Sequence, residues 1–226
     1  MSRLIQPEIE KIKNQTGELG TLIEENLQRA IKALLANDPV LAREVISFDR
    51  EEIDRREIAL EEECLRIMAL YHPVAGDLRF LVTVLKVNGD LERIGDLAAK
   101  IADKVLLISQ IDTEVYDTAG MMLPARFQAM QEKTVTMLRQ TLEAFHHEDT
   151  DLAYKVCLTD DEVDRDKRAI RAELEETIAQ NPAQHIYLAK LIGVARSLER
   201  IADHCTNICE DVIYMAQGKI VRHRLI

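Results

Sequence analysis

The sequence predicts an all-α protein made of two tandem, pseudo-symmetric antiparallel three-helix bundles, six long helices in total. Three observations carry this expectation. Of 226 residues only 8 are Gly, 5 are Pro and 4% are aromatic, which starves a β-sandwich or barrel of turn formers and β-prone residues. Long stretches with helical periodicity run between short breakers. The chain also matches itself in order at three places about half its length apart, the signature of a duplication.

The breakers set the elements one by one. Ala36-Asn37-Asp38-Pro39 ends the first helix, and Tyr71-His72-Pro73-Val74-Ala75-Gly76-Asp77 ends the second. A weaker break near Ser109 to Glu114 closes the third, His146 to Asp151 the fourth, and Asn181-Pro182 the fifth. Asn, Asp, Gly and Pro interrupt helices either by favouring other backbone conformations or by withholding an N–H. Helices of roughly 30 residues are about 45 Å long, and connections of a few residues make sequential helices antiparallel neighbours.

The duplication is clearest in helices three and six. Leu91-Glu92-Arg93-Ile94-Gly95-Asp96 falls on Leu198-Glu199-Arg200-Ile201-Ala202-Asp203 at a shift of 107, followed by Asp103 on Glu210. Upstream, Ile53-Asp54-Arg55 falls on Val163-Asp164-Arg165 at a shift of 110, and Asp38 to Ala42 falls on Asp149 to Ala153 at a shift of 111. The drifting shift is expected to be absorbed in loops. Residues 1–111 and 112–226 are therefore read as two copies of one unit.

Composition narrows the function. A net charge of −11 repels phosphate backbones, so nucleic acid is not an expected partner. The N-terminal Met1 to Glu8 lacks the apolar core of a signal peptide, and no uncharged apolar stretch approaches the roughly 20 residues that span a bilayer. A cytoplasmic protein, touching membranes only peripherally, is expected. Cys64, Cys157, Cys205 and Cys209 form no CxxC pair and read as small apolar residues, with Cys205 and Cys209 beside the apolar arc of the last helix.

The residues that could carry chemistry are carboxylates. With Glu199 set at zero, Asp203 lies at about 40° and Glu210 at about 20°, one stripe along the helix; Glu92, Asp96 and Asp103 repeat it. Helix two and its copy supply neighbours in Glu51, Glu52 and Asp54, and in Asp160, Asp161 and Asp164. Oxygen donors at one-turn spacing suit hard cations. A solvated acidic face opposite Leu198, Ile201, Ile208 and Val212 would produce the same pattern, although its i, i+4 carboxylates repel each other in both copies. Nucleophile and phosphate-loop motifs are missing, so an enzyme is not expected. A di-metal oxidase would need two Glu-x-x-His pairs facing inward, and only Glu143 to His146 fits.

The doubled Leu-Glu-Arg-Ile-x-Asp hexads, Pro73 to Arg79 opening helix three and the ending Ile213-Tyr214-Met215-Ala216-Gln217-Gly218 together resemble the PhoU family of phosphate-signalling proteins along essentially the whole chain. The resemblance implies multinuclear metal clusters at the bundle surface, iron by family expectation, with zinc, manganese, calcium or magnesium as alternatives. Carried over, one cluster involves Glu92, Asp96 and Asp54, the other Glu199, Asp203, Asp160 and Asp164. The pattern departs at Arg50, which falls opposite Asp160 at a shift of 110, so that Glu51 substitutes or the first site is the weaker. The resemblance further implies an adaptor that couples the ATPase of a phosphate importer to a phosphate-sensing histidine kinase and restrains phosphate-starvation genes; a homodimer is expected because two-fold pairing is the ordinary assembly for such a protein. A purely structural helical scaffold without metal is the alternative.

Overall fold

The computed structural model describes residues 4–111, 123 and 125–221. Its elements are α1 (Gln6–Ala36), α2 (Pro39–Phe48), a π turn (Asp49–Ile53), α3 (Asp54–Tyr71), α4 (Ala75–Ser109), α5 (Ala125–His147), α6 (Thr150–Gln180), a 3-10 turn (Pro182–Gln184) and α7 (His185–Gln217). The chain passes through α2, the π turn and α3 without a break, so the described residues form six long rods. The break expected near Ser109 to Glu114 opens where α4 ends, but its part from residue 112 onward, and with it the 111/112 boundary, lies outside the described residues.

The first connection of each bundle is one turn used twice. Asn37 leaves α1 at φ 45° and Glu148 leaves α5 at φ 54°, both left-handed, as a helix C-terminus commonly is. The next residue then caps the following helix. Asp38 Oδ1 accepts the N–H groups of Val40 and Leu41 at 2.9 and 3.1 Å, and Asp149 Oδ1 accepts those of Asp151 and Leu152, each at 3.0 Å. A carboxylate cap satisfies N–H groups that have no partner within the helix and opposes the positive end of its dipole.

α1, the α2–α3 rod and α4 pack on one another as the first bundle, and α5, α6 and α7 as the second. α4 against α7 and α1 against α5 join them. The two central helices therefore bury residues toward both bundles: Leu91, Ile94 and Ile101 on α4, and Leu198, Ile201, Ile208 and Val212 on α7, are fully buried. The arc expected to be apolar on the last helix is the core face. Cys205 and Cys209 lie in the same core as free thiols.

The α4–α7 seam carries polar contacts as well. Lys86 Nζ donates to Asp211 Oδ1 at 2.7 Å, with the Asp211 side chain 2% exposed. Asp90 Oδ1 meets His204 Nδ1 at 2.7 Å and accepts from Asn207 Nδ2 at 3.3 Å. Exchanging the copies by the hexad shift maps Lys86 to Gly193 and Asp211 to Lys104, and a Cβ on Gly193 would meet Lys104 Cε at 3.2 Å. The seam thus keeps pseudo-two-fold geometry while one ion pair has become a lysine stem lying over a glycine.

One repeat carries a residue too many, and the rod absorbs it. Ala42 and Val45 are buried like Ala153 and Val156, their matches at a shift of 111, whereas Ile53 and Leu60 are buried like Val163 and Ile170, their matches at a shift of 110. Between them the π turn bonds the Asp54 N–H to the Asp49 carbonyl, five positions back. A π turn is how a helix accepts an insertion and returns its later residues to the original face. The drift expected in loops is, here, inside a helix. Deletion of exposed Arg50 is accordingly expected to leave an ordinary α-helix and cost less than about 2 kcal/mol. Deletion of exposed Glu61 rotates the rest of α3 by about 100° and is expected to abolish cooperative urea unfolding, the measurement that compares them.

Candidate functional site

The π turn places a carboxylate that the hexad pattern does not reveal. Asp49 is 4% exposed, and its Oδ1 is buried without a hydrogen-bond partner. Burial, then the negative charges of Asp54, Asp96 and Glu92, push its carboxyl up to about 7 against the opposing pull of Arg50. Glu92 is also raised, by burial above all and by Asp96 and Asp54, against Arg93 and Lys100. Glu57 joins the group, raised by burial and by Glu61, Glu92 and Asp54; its Oε1 accepts from Asn88 Nδ2 at 2.8 Å. Room for Asp49 comes from Gly95, where a Cβ would lie 2.8 Å from Asp49 Oδ1 and 3.3 Å from Ile53 Cγ2.

The second repeat builds the counterpart on α6 and α7. Asp160, half-buried, is pushed up to about 6 by burial and then by Asp203, Asp164, Asp161 and Glu199. Asp203 is raised by burial, Glu199 and Asp164, and eased by His204 and Lys167. Ala202 is buried where the first repeat has Gly95, and Asp160, the match to Asp49, is only half-buried. Lys167 Nζ donates to Glu199 Oε1 at 2.9 Å, and Arg168 reaches Asp164 at 3.0 Å.

The structure therefore gathers Asp54, Glu92 and Asp96 around Asp49, and Asp160, Asp164, Glu199 and Asp203 around each other. All sit at the bundle surface between neighbouring helices; Asp203 is the most open to solvent, and the others are half-buried or, for Asp49, buried. Arg50 is exposed and does not replace the acid matching Asp160; Asp49 does, at a shift of 111. Glu51 is exposed and accepts the Ser47 hydroxyl at 2.8 Å, and Glu52 is held by Arg55 and Arg56. Asp103 is exposed two turns beyond Asp96. Glu210 lines a separate groove with Val82, Lys86 and Tyr214. Sequence reasoning missed Asp49, Glu57 and Lys167. The available signal was the change of shift between Ala42 and Ile53, which puts one extra residue within a helix and lets Asp49 align with Asp160.

Oxygen-only donors with an unpartnered buried carboxylate oxygen fit a hard cation in charge and in type. Among the described residues, no group of three or more His, Cys, Asp or Glu side chains stands where it could hold a metal ion. The carboxylates feel one another's charge without closing on a common point.

Comparison with known proteins gives a consistent result. The family profile described as PhoU domain matches twice, over residues 16–105 and 127–212. A Thermotoga maritima protein named phosphate-specific transport system accessory protein PhoU homolog 1 is 33% identical over 96% of this chain and 91% of its own length. The Aquifex aeolicus PhoU homolog is 35% identical over 97% of this chain and 96% of its own length. The crystal structure of PhoU from Pseudomonas aeruginosa superposes with a TM-score of 0.88 at 32% identity, covering 95% of this chain and 100% of that one. The phosphate transport system regulatory protein PhoU from Streptococcus pneumoniae gives a TM-score of 0.86 at 27% identity, covering 96% and 99%.

Proposed function

The chain belongs to the PhoU family, and from that premise we propose that it is a cytosolic adaptor of phosphate regulation. It couples a phosphate importer, through the importer's ATPase, to a phosphate-sensing histidine kinase, and so holds phosphate-starvation genes off when phosphate is plentiful. The relatives' names support an accessory or regulatory role. The net charge of −11 argues against direct binding to promoters. Among the described residues no helix is long and apolar enough to cross a membrane, in keeping with peripheral contact through partners. A homodimer belongs to the same proposal.

Each repeat, residues 1–111 and 112–226, acts in this reading as one cation-binding unit. Asp49, Asp54, Glu92 and Asp96 would hold the first cation and Asp160, Asp164, Glu199 and Asp203 the second, iron being the family expectation. Bound there, a hard cation supplies the positive charge that relieves the carboxylates' mutual repulsion. The observation that carries this reading is Asp49, a nearly buried carboxylate with an unpartnered oxygen beside Asp54, Glu92 and Asp96. The observation that favours the metal-free scaffold is that the described carboxylates are not already gathered as a metal group.

Two measurements test the proposal. Elemental analysis of the purified protein is expected to find metal that is lost on Asp49→Asn with Glu92→Gln and, for the second repeat, on Glu199→Ala with Asp203→Ala. Metal content unchanged by either pair would sink the assignment. Deletion of the gene is expected to switch on a phosphate-starvation reporter in phosphate-rich medium, and tagged protein to recover the importer ATPase and the kinase. A silent reporter with neither partner recovered would leave only the scaffold.

A further inference from the structure

We propose that the groove between α1 and α5 is a docking site for an acidic amphipathic helix of a partner protein. The carboxylate groups described above take no part in it. It rests on the adaptor reading for the existence of a partner, and on the groove alone for how that partner is held.

Four helices close a ring in which α1 packs on α4, α4 on α7, α7 on α5 and α5 back on α1. Two sides of the ring are covered by helices of the chain itself: the α2–α3 rod lies over α1 and α4, and α6 over α5 and α7. The side over the α4–α7 seam is lined by charged groups, among them Lys86, Asp90, Arg93 and His204. The fourth side differs from all of these. Among the described residues no element packs against both α1 and α5, and a groove of about 320 Å³ stays open there, walled by Ile31 and Leu35 of α1 and by Gln131, Val135 and Arg139 of α5. Leu35 is 57% exposed. The wall residues recur every four positions on each helix, so a third helix can lay an apolar stripe between them, as the rod and α6 do elsewhere on the ring.

A residue that the other copy lacks keeps the groove open. At the shift of 111 that matches the two interhelical turns, Gly20 corresponds to Gln131 and Ile31 to Leu142. At the far end of the α1–α5 seam, Leu142 packs over Gly20 so closely that a Cβ there would collide with it. At the near end Gln131 stands in place of the glycine, and Ile31 lines the groove with it. Gln131 is 3% exposed, and its Nε2 is buried without a hydrogen-bond partner. An unmade bond of this kind costs the free protein stability, and a carboxylate oxygen entering the groove is the acceptor the amide lacks.

Charge selects the same partner. Arg139 lines the groove and exposed Lys32 follows Ile31 on α1, and among the described residues no hydrogen bond or ion pair holds either. Glu132, the acid on this wall, accepts from Gln128 Nε2 at 3.0 Å. Two cations without a counter-charge favour acidic residues flanking the apolar stripe of the incoming helix, at the short range where local charges outweigh the net charge of the chain.

The test gives full-length protein a fluorescent synthetic helix of about 18 residues, with leucines at i, i+3, i+4 and i+7 and glutamates on its flanks. The parent is expected to bind it at least about tenfold more tightly than the same peptide with lysines for glutamates. Gln131→Met is expected to weaken binding at least about tenfold and yet raise the urea midpoint, because the unpartnered amide is gone from the free protein. Leu35→Glu, a surface change, is expected to weaken binding similarly and leave the midpoint where it was. No binding by the parent, equal affinity for the two peptides, or affinity indifferent to both variants would overturn the assignment. So would a lowered midpoint in Gln131→Met, which would show the amide to be held within the fold. A parent that sediments as a dimer and loses it on Leu35→Glu would give the groove to a second copy instead. In parallel, tagged Leu35→Glu is expected to recover less importer ATPase or kinase than the parent; equal recovery of both would overturn the docking and leave the adaptor reading in place. A parent that recovers neither overturns the adaptor reading, and the peptide arm, which needs no partner, still supports or overturns the groove.

Discussion

Raising the pH from 5 to 8 is expected to destabilise the metal-free protein by about 3 kcal/mol, the reverse of what paired carboxylates ordinarily give. Asp49 titrates at about 7 in the folded chain against an ordinary 3.8, and Asp160 at about 6 against 3.8. A raised carboxyl means that the folded state binds more protons than the unfolded one between those values, so stability falls as pH climbs from about 4 through 7 and is level beyond. Glu57, Glu92 and Asp203, also raised, add in the same direction. Glu63 works oppositely: hydrogen bonds from Arg66 and Lys11 lower it from 4.5 to about 2, so its contribution is full above 4.5 and lost as pH falls through 2. Stability should therefore peak at or just below about pH 4. Asp49→Asn is expected to remove most of the slope and to stabilise the metal-free protein at pH 8 by about 2 to 4 kcal/mol. Urea denaturation at several pH values, in chelator, reads both effects. A slope that survives Asp49→Asn unchanged would mean that the buried carboxylate of the π turn is not its source.

The second large effect is expected at the α4–α7 seam. Lys86→Met is expected to cost about 3 kcal/mol, because it removes the ammonium 2.7 Å from a carboxylate whose side chain is 2% exposed. The half-exposed lysine loses little by itself, since its methylenes are replaced; the penalty belongs to Asp211, left nearly buried without this counter-charge. Adding Asp211→Leu to Lys86→Met is expected to recover much of the loss, as apolar replacements of buried pairs commonly do. Denaturation of the two single variants and the double variant closes the cycle. A single variant within about 0.5 kcal/mol of the parent would show that the seam does not depend on the pair.

The helices, their order and the duplication were legible in the sequence because they follow from local rules. A 3.6-residue apolar period, Asp at the start of α2 and α6 and Pro or Asn in the breaks act within a few residues of each other. The hexads on α4 and α7 were equally legible, since residues four apart share a face by helix geometry alone; Glu92 feels the charge of Asp96 and Asp54, and separately Glu199 and Asp203 act on Asp160 together with Asp164. What tertiary structure decided was which further groups join them. An extra residue between Ala42 and Ile53 can sit in a loop or in a π turn, and the choice depends on whether Ile53 and Leu60 must return to the face that buries Ala42 and Val45. That requirement is set by α1 and α4, far away in sequence. It turns Asp49 inward, onto the space left by Gly95, and turns Glu51 out toward Ser47. The meaning of Glu57 and Lys167 was hidden for the same reason: a charge on a helix surface reads as solvated until the partner across the interface, Asn88 for one and Glu199 for the other, is brought opposite it by packing.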